Sequence, residues 1–449
     1  MTLSRRSLVL GTLGASVLAL TGCIGNRRQA AEDWLRSRSW VAVVERVEAR
    51  GGPVPLPGPA DLTARVRCVP GTDRLALTGI RAEIEDYAAT HARDVRTLLV
   101  HLEHDSGLLP VSGNRATNDE VFALHDLAVA DSRAERVEIE WRTGLELRVT
   151  TPATAVLAYA EELTSKDPGT ARATIVVRDA EATSVVTTGF GQTERVRTVA
   201  AAVAAAGRAR GFEAHSVTDP IRLTVELDSR DLLDPTFRAL RRRWPEAELD
   251  LTVEADRLGL RGPESVTERL PGATDLFAAA PFSRLVVQDH NETVGRVTLV
   301  ARVDDPTTVA AATRAIGDHA EAGGVAVWFL LDPIAKVRLL GSPALVAACG
   351  GPAQAVVTGA SEQASADNTQ GRLRLYPNVP ASDFESRGRA IRAAGWPGAL
   401  DFEVNGGSFT VAYRSTATGR AQNVEVVKTI GTIDGSSAWI TAWDASATE

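Results

Sequence analysis

The sequence predicts an α+β protein in which short strands and helices alternate along most of the chain. The first observation is strict period-two alternation of apolar and polar residues, which indicates strands with one buried and one solvated face. The second is a set of helix-start signals that return about every 35–43 residues, with two predicted strands between successive helices. Strands buried on one face favour antiparallel or mixed sheets over a parallel core covered on both faces.

Five segments carry the strand alternation most clearly. In each of them the apolar residues occupy every second position and polar residues stand between them. The apolar sets are Leu145, Leu147 and Val149; Ile221, Leu223, Val225 and Leu227; Leu249, Leu251 and Val253; Val297, Leu299, Ala301 and Val303; and Leu400, Phe402 and Val404.

The helices are predicted from their starts and their apolar stripes. Asp305-Pro306 places a capping oxygen before a proline at the first helical position, and Thr117 to Glu120 has the form of a capping box. Residues 31–50 are predicted as an N-terminal helix that Gly51-Gly52-Pro53 ends. One later helical face is formed by Leu77, Ile80, Ile84, Tyr87 and His91.

The repeat of strand, helix and strand predicts tandem βαββαβ modules. Each module would be a ferredoxin-like, or split βαβ, unit with two-layer antiparallel sheet and helix packing. The expected modules cover 61–142, 143–217, 218–292, 293–360 and 370–445, after a segment 1–22 and a tether with a helix over 23–60. The last module includes a hairpin at Asn405-Gly406-Gly407, and 359–371 is expected to be a linker. Because the turns near 143 and 218 are short, neighbouring modules could instead share a continuous sheet.

The N-terminus has the three parts of an export signal. Arg5 and Arg6 precede an apolar run of 13 residues from Leu8 to Leu20, too short for a stable membrane span. Leu20-Thr21-Gly22-Cys23 resembles the lipobox of bacterial lipoproteins. The resemblance implies cleavage between Gly22 and Cys23, a thioether lipid and an amide-linked acyl chain on Cys23, and a lipid anchor on the extracytoplasmic face of the cell membrane.

Ser4-Arg5-Arg6-Ser7-Leu8-Val9 is also similar to a twin-arginine export motif. Leu8 and Leu10 depart from the residues that this motif more often has, so the ordinary secretory route stays open. Export by the twin-arginine route implies that the protein folds before it crosses the membrane.

The charge composition of the chain limits the classes of molecule that it is expected to bind. The formal charge is −8, and loss of Arg5 and Arg6 takes it to −10, which argues against nucleic acid as a partner. Only three of the 49 basic residues are lysine, a bias typical of high-GC genomes such as those of actinobacteria.

The densest group of metal-ligand side chains is His101-Leu102-Glu103-His104-Asp105. It falls at the end of a predicted strand, where residues three apart point to opposite faces, so His101 and His104 are not expected to converge. The sequence therefore predicts no metal site and no cofactor. His104 with Asp105 is the one pair to test.

Other polar or aromatic groups have a structural interpretation that outweighs a functional one. Gly189 to Glu194 has the strand–turn–helix context of a phosphate-binding turn, but Glu194 stands where a glycine is needed. Cys68 and Cys349 are expected to be buried thiols, although a disulfide between them stays possible outside the cytoplasm. The remaining groups are Arg238, Arg241, Arg242 and Arg243, expected on a solvated helical face, and Trp396, Trp439 and Trp443, expected in the core or its rim.

The chain lacks the G-x-S-x-G, H-E-x-x-H, P-loop and C-x-x-C motifs. Together with the lipobox and the repeat, this predicts a non-catalytic, membrane-anchored lipoprotein that binds or scaffolds an envelope protein or cell-wall polymer. The alternative is a small-ligand receptor with a pocket at a module junction.

Overall fold

A computed structural model describes residues 26–50, 59–141, 144–169, 172–292, 295–319, 326–331, 336–358, 364–368, 373–377, 379–394, 400–405, 409–415, 419–429 and 435–447. These residues contain eleven α-helices and twenty-one strands, compatible with the predicted α+β class. The chain divides into two compact units. Unit 1 comprises 1–204 with 212–221, and unit 2 comprises 205–211 with 222–449.

Unit 1 carries the first five helices and the first nine strands, together with one short 3-10 helix at Ala153–Ala155. Its helices are α1 (26–36), α2 (Arg74–Thr90), α3 (Arg115–Val129), α4 (Val156–Ser165) and α5 (Thr193–Ala206). Its strands are β1 (Val41–Arg50), β2 (Ala60–Cys68), β3 (Val95–His104), β4 (Gly107–Ser112), β5 (Arg136–Trp141), β6 (Leu145–Thr150), β7 (Ala173–Arg178), β8 (Ser184–Gly189) and β9 (Ala209–His215), the last of which crosses the boundary between the units.

Unit 2 carries the remaining elements, with 3-10 helices at Arg230–Leu232, Glu264–Arg269, Pro306–Thr308 and Ala381–Asp383. Its helices are α6 (Leu233–Arg243), α7 (Leu270–Ala279), α8 (Val309–His319), α9 (Pro343–Val357), α10 (Phe384–Ala393) and α11 (Gly435–Ala445). Its strands are β10 (Ile221–Leu227), β11 (Leu249–Ala255), β12 (Leu258–Arg261), β13 (Arg284–Glu292), β14 (Gly295–Val303), β15 (Val327–Leu331), β16 (Val337–Gly341), β17 (Ser365–Asp367), β18 (Leu373–Tyr376), β19 (Leu400–Asn405), β20 (Phe409–Ser415) and β21 (Gln422–Thr429).

Strands pair in the order of the sequence. From β1 to β9, antiparallel neighbours alternate with parallel ones, and each parallel pair flanks a helix, as β2 and β3 flank α2. The same alternation runs from β11 to β20, after which β21 adds an antiparallel strand. In a ferredoxin-like unit another strand lies between the two that a helix joins. The described pairings therefore do not confirm that order, and within each run they match the alternative of a continuous sheet.

The predicted N-terminal helix over 31–50 is wrong in its second half. α1 covers only 26–36, and Val41–Arg50 forms β1, which pairs antiparallel with β2. Val41, Val43, Val44 and Val47 explain the difference, since β-branched side chains fit a pleated strand better than a helix. β1 therefore returns the chain across the sheet immediately after α1.

Of the two predicted helix caps, the one at Asp305 is confirmed and the one at Thr117 is wrong. The Asp305 side chain accepts a hydrogen bond from the Thr307 amide at 2.8 Å, at the turn that leads into α8. The capping box at Thr117 is wrong, because α3 begins earlier and the Asn114 side chain accepts from the amides of Ala116 and Thr117. In α2 the predicted stripe is confirmed at Leu77, Ile80, Ile84 and Tyr87, all of which are buried.

The expectation of one covered and one open face holds for β6 and β8 but fails for part of unit 2. Alternate residues are buried in the first case, whereas six of the seven residues of β11 are buried. On the second face of the neighbouring strands, Val286, Val300 and Leu330 pack against Trp328 and Leu340. Runs of adjacent apolar residues, such as Trp328-Phe329-Leu330-Leu331, are the sequence signal of a strand covered on both faces.

Several predicted features lie outside the described residues. These are the export segment with Arg5, Arg6, Gly22 and Cys23, the turn residues Gly406 and Gly407, most of the expected linker and Trp396. The boundaries of the five modules stay a prediction. In the part of the chain that the structure describes, no helix combines the length and apolar character needed to cross a membrane.

Candidate functional site

A concave surface in unit 1 forms where α1 lies against the C-terminal end of α2. Ala31 and Leu35 of α1 are buried, which fixes the helix on the body. The Trp34 ring then lies 4.2 Å from the Tyr87 ring between centroids, and the Tyr87 ring stacks on the His91 imidazole at 4.1 Å. We call these three rings and the two adjoining cavities the α1–α2 cleft.

The first cavity of the cleft has a volume of about 170 Å³ and the second about 330 Å³. Tyr87 and His91 line both. The first is also lined by Trp34, Arg38, Glu83, Asp86 and Thr90, and the second by Asn26, Arg27, Ala30, Asp94 and Val95. Both cavities therefore combine aromatic walls with charged groups of each sign.

Charged side chains hold the rings of the cleft in place. The Arg38 guanidinium lies 5.4 Å from the centre of the Trp34 ring, within cation–π range, and 3.7 Å from the Glu83 carboxylate. The same carboxylate accepts a hydrogen bond of 3.0 Å from the indole nitrogen of Trp40. Trp34 is thus fixed between an arginine and a tyrosine, which makes it a rigid aromatic wall.

His91 ends α2 and orients its imidazole through the backbone. Its amide and its Nδ1 atom both contact the carbonyl oxygen of Tyr87, with an Nδ1–O distance of 2.9 Å. Because a carbonyl only accepts, Nδ1 is the protonated nitrogen in this contact. Burial raises the pKa of Tyr87, so the phenol is neutral at pH 7.

The described residues that line the cleft supply aromatic, charged and hydroxyl groups. There is no serine or cysteine among these described residues, and their hydroxyls belong to Tyr87 and Thr90. Aromatic walls and paired charges of both signs suit a ligand or peptide that carries an apolar ring or chain beside a charged group.

The sequence-predicted histidines occupy opposite faces of β3, as expected. His104 is buried beneath the helices at 6% exposure, whereas His101 is half-buried on the other face. Asp105 is not the partner of His104, because its carboxylate accepts from the Gly71 amide at 2.7 Å. The nearest aromatic group is the ring of His125 on α3, 5.8 Å away between centroids.

A hydrolase arrangement is not formed at His104. Its Nδ1 atom is 3.4 Å from the hydroxyl of Ser106, at the outer limit for a hydrogen bond, and the two residues belong to the β3–β4 hairpin, where His104 is buried and Ser106 is exposed. Its Nε2 atom has no hydrogen-bond partner, so no carboxylate orients the ring. Among the described residues, no three His, Cys, Asp or Glu side chains converge as metal ligands.

The arginine cluster on α6 is not a free basic patch. Arg241 is buried, and its guanidinium donates to the Leu249 carbonyl at 2.8 Å. Arg242 pairs with Glu264 at 2.8 Å, and Arg238 pairs with Asp234 at 2.7 Å. The expectation of a solvated face is therefore wrong for Arg241, which serves the core of unit 2.

The remaining candidates have structural roles. Trp439 and Trp443 are fully buried, and their indole nitrogens donate to Tyr413 and Ser415. Gly189 ends β8 and Thr193 begins α5, which confirms the strand–turn–helix context, but Glu194 occupies the first turn of α5 and pairs with Arg197. The two cysteines of the described chain, Cys68 and Cys349, are buried free thiols.

Comparisons of the chain with protein-family models, with curated proteins and with solved structures yield no match.

Proposed function

We propose that the protein is a lipid-anchored, non-catalytic binding protein of the bacterial cell envelope and that the α1–α2 cleft is its binding site. The observation that carries the proposal is the position of the cleft. The first described residue of α1 is residue 26, three positions after Cys23, and three residues of any conformation span at most about 11 Å. A lipid on Cys23 would therefore hold Trp34, Tyr87 and His91 near the membrane surface.

The chemistry of the cleft supports binding of an envelope protein or a cell-wall polymer. Tryptophan, tyrosine and arginine are the residues that most often dominate binding energy at protein interfaces. Arg38 and Glu83 supply opposite charges beside Trp34, so a partner would place an apolar group on the ring and a polar group at the rim.

An open sheet face in unit 1 extends the surface beyond the cleft. On this face Glu45 of β1 pairs with Arg67 of β2 at 2.6 Å, and Arg65 pairs with Glu103 of β3 at 3.3 Å. These side chains are about a quarter to a half exposed, so they present a polar, charge-balanced surface rather than a core. Tandem strand–helix–strand units would lengthen such a surface, which suits a scaffold.

The alternative is a receptor for a small ligand, and the second cavity favours it. A volume of about 330 Å³ lies within the range of small-molecule sites, and Arg27 and Asp94 at its edge form an ion pair of 3.3 Å. A thermal-shift screen with sugars and peptidoglycan fragments separates the two functions. Saturable stabilisation by one such ligand, lost in His91→Ala, supports the receptor and contradicts the pure scaffold.

The anchor and the cleft are tested by separate experiments. Metabolic labelling with a lipid should mark the wild type and leave Cys23→Ala unmarked, and equal labelling of the two would overturn acylation at Cys23.

For the cleft, proteins that copurify with the wild type from detergent-solubilised membranes are compared with those from Trp34→Ala. The matched control is Trp141→Ala, which removes a 45% exposed tryptophan on β5. A partner that Trp34→Ala loses and Trp141→Ala keeps supports the proposal, whereas one retained by both excludes the cleft as its site.

A further inference from the structure

The interior of unit 1 contains two histidines whose ring nitrogens lack the partners that buried polar atoms normally have. His104 is 6% exposed and His125 is 4% exposed. The Nε2 atom of His104 and both ring nitrogens of His125 are shielded from solvent and accept or donate no hydrogen bond. Each unsatisfied buried polar group costs about 1–3 kcal/mol, so a pair of such rings side by side points to a missing partner.

The backbone segments that carry the two histidines are held by separate networks. His104 pairs with Gly107 at the end of the β3–β4 hairpin, where the Ser106 carbonyl accepts from the Val137 amide at 2.8 Å. His125 is fixed through its neighbour Asp126, whose two carboxylate oxygens accept from Arg74 at 2.6 and 2.8 Å. That carboxylate is already bound to arginine and lies 3.8 Å from the Nδ1 atom of His125, beyond hydrogen-bond reach. The fold of unit 1 thus places the two residues beside each other.

We propose that His104 and His125 form a buried two-histidine site for a single copper(I) ion. Two imidazoles that bind one metal at about 2.0 Å place their ring centroids about 5.1 Å apart at a tetrahedral angle and about 6.3 Å apart when the arrangement is linear. The observed separation of 5.8 Å falls between these limits. The distance between the ring centroids is therefore compatible with one shared ion.

The number of ligands favours copper(I) over zinc(II). Protein zinc sites use three or four protein ligands, and among the described residues no third His, Cys, Asp or Glu completes such a set here. Copper(I) has a filled d shell and accepts two nitrogen donors. Its single charge also costs less to bury than a double charge, because the desolvation penalty grows with the square of the charge.

The protonation state of the site suits metal binding. Burial lowers the pKa of His104 to about 4, with a smaller contribution from His125, and burial also lowers the pKa of His125. Both imidazoles are therefore neutral at pH 7 and have no proton to lose before they bind a metal. The site depends on neither Cys23 nor the α1–α2 cleft.

The test uses the full chain in detergent, purified without a histidine tag, and titrated with copper(I) without oxygen against a coloured copper(I) chelator. The wild type should bind one copper(I) per chain, and His104→Gln or His125→Gln should weaken binding at least 100-fold. His215→Gln, which removes an exposed imidazole beside Glu213, is the matched control and should bind as the wild type does. Retained binding in the double variant His104→Gln, His125→Gln would overturn the site.

A second measurement needs no variant and so does not depend on their folding. X-ray absorption of the copper-loaded wild type should show two nitrogen donors and no sulfur donor. A spectrum with sulfur donors, or the absence of stoichiometric copper(I) binding, contradicts the proposal. Stoichiometric zinc(II) binding that His104→Gln abolishes would overturn the assignment to copper(I).

Discussion

The Trp34 and Tyr87 rings lie 4.2 Å apart between centroids with their planes inclined by 31°, and this contact joins α1 to α2. Tyr87 is buried at 6% exposure, whereas Trp34 is only partly buried. The tyrosine therefore supports the fold, and the tryptophan presents the surface that a partner would meet.

Tyr87→Ala should lower the free energy of unfolding by about 3–5 kcal/mol, because it removes a buried aromatic ring and leaves a cavity beneath α1. Chemical denaturation followed by circular dichroism measures the change. Leu75→Ala on the same helix is the control, since Leu75 is 81% exposed and its loss should change stability by less than about 0.5 kcal/mol. Equal losses in the two variants would show that Tyr87 does not pack as described.

Gly107→Ala should strongly destabilise unit 1. Gly107 has φ of +150°, and a Cβ atom there would lie 1.6 Å from the carbonyl oxygen of Val137, so the strands must separate. Gly79→Ala provides a control of opposite sign, because Gly79 lies within α2 and a Cβ atom would meet nothing within 4 Å. Alanine is favoured over glycine in a helix by about 1 kcal/mol, so this variant should be more stable than the wild type in the same denaturation assay.

Asp250→Asn should lower the free energy of unfolding at pH 7 and leave it nearly unchanged in acid. The Asp250 carboxylate is 9% exposed and accepts two hydrogen bonds from Arg261, at 3.0 and 2.8 Å. Burial opposes ionisation, but the hydrogen bonds and charge of Arg261 outweigh it, and the pKa of Asp250 is lowered. A lowered folded-state pKa gives stability that is present above the unfolded value of about 3.9 and is lost as the pH falls through the folded value.

Asp250→Asn removes two charge-assisted hydrogen bonds, but Arg261 keeps its ion pair with Glu292 at 2.6 Å, so the expected loss of stability at pH 7 is about 1.5–3 kcal/mol. The two unfolding curves should converge as the pH falls below about 4. Asp234→Asn removes a solvent-exposed partner of Arg238 and should cost no more than about 1 kcal/mol. A difference at Asp250 that stays constant down to pH 3 would contradict the linkage.

Thiol titration should distinguish the native from the unfolded chain. Burial raises the pKa of both Cys68 and Cys349 to about 11, so neither thiol should react with a disulfide reagent in the native protein at pH 8. In guanidinium chloride the lipidated protein should expose two thiols per chain, because the sulfur of Cys23 would be blocked as a thioether. Three reactive thiols per unfolded chain would show that Cys23 carries no lipid. Rapid reaction of the native protein would show that Cys68 or Cys349 is accessible.

The local sequence pattern was sufficient to predict most individual helices and strands and the buried faces of α2 and β3. It placed Tyr87 on a buried stripe and His104 opposite His101. Periodicity, however, reports which face of an element is buried and not which elements become neighbours. The direct pairing of β2 with β3 across α2 therefore could not be distinguished from the split order.

The α1–α2 cleft and the His104–His125 site could not be predicted from the sequence for the same reason, since each depends on which elements become neighbours. The α1–α2 cleft depends on α1 ending at residue 36 so that β1 can return the chain along β2, whereas a helix over 31–50 leaves no residues for β1. The contact of His104 with His125 depends on where α3 crosses β4 and β5. Val286-Val287 and Trp328 to Leu331 did carry a usable signal, since adjacent apolar residues on a strand indicate cover on both faces.

The strictly sequential strand order has a consequence for the rate of folding. Within each described run, every strand finds its partners directly before and after it along the chain, either across a tight turn or across one helix. Such a topology has a low contact order for a β-rich protein, so little loop-closure entropy must be lost before the first pairings form. Folding could begin at any crossover and extend outward while the chain is still being synthesised, which would leave few unpaired strand edges exposed.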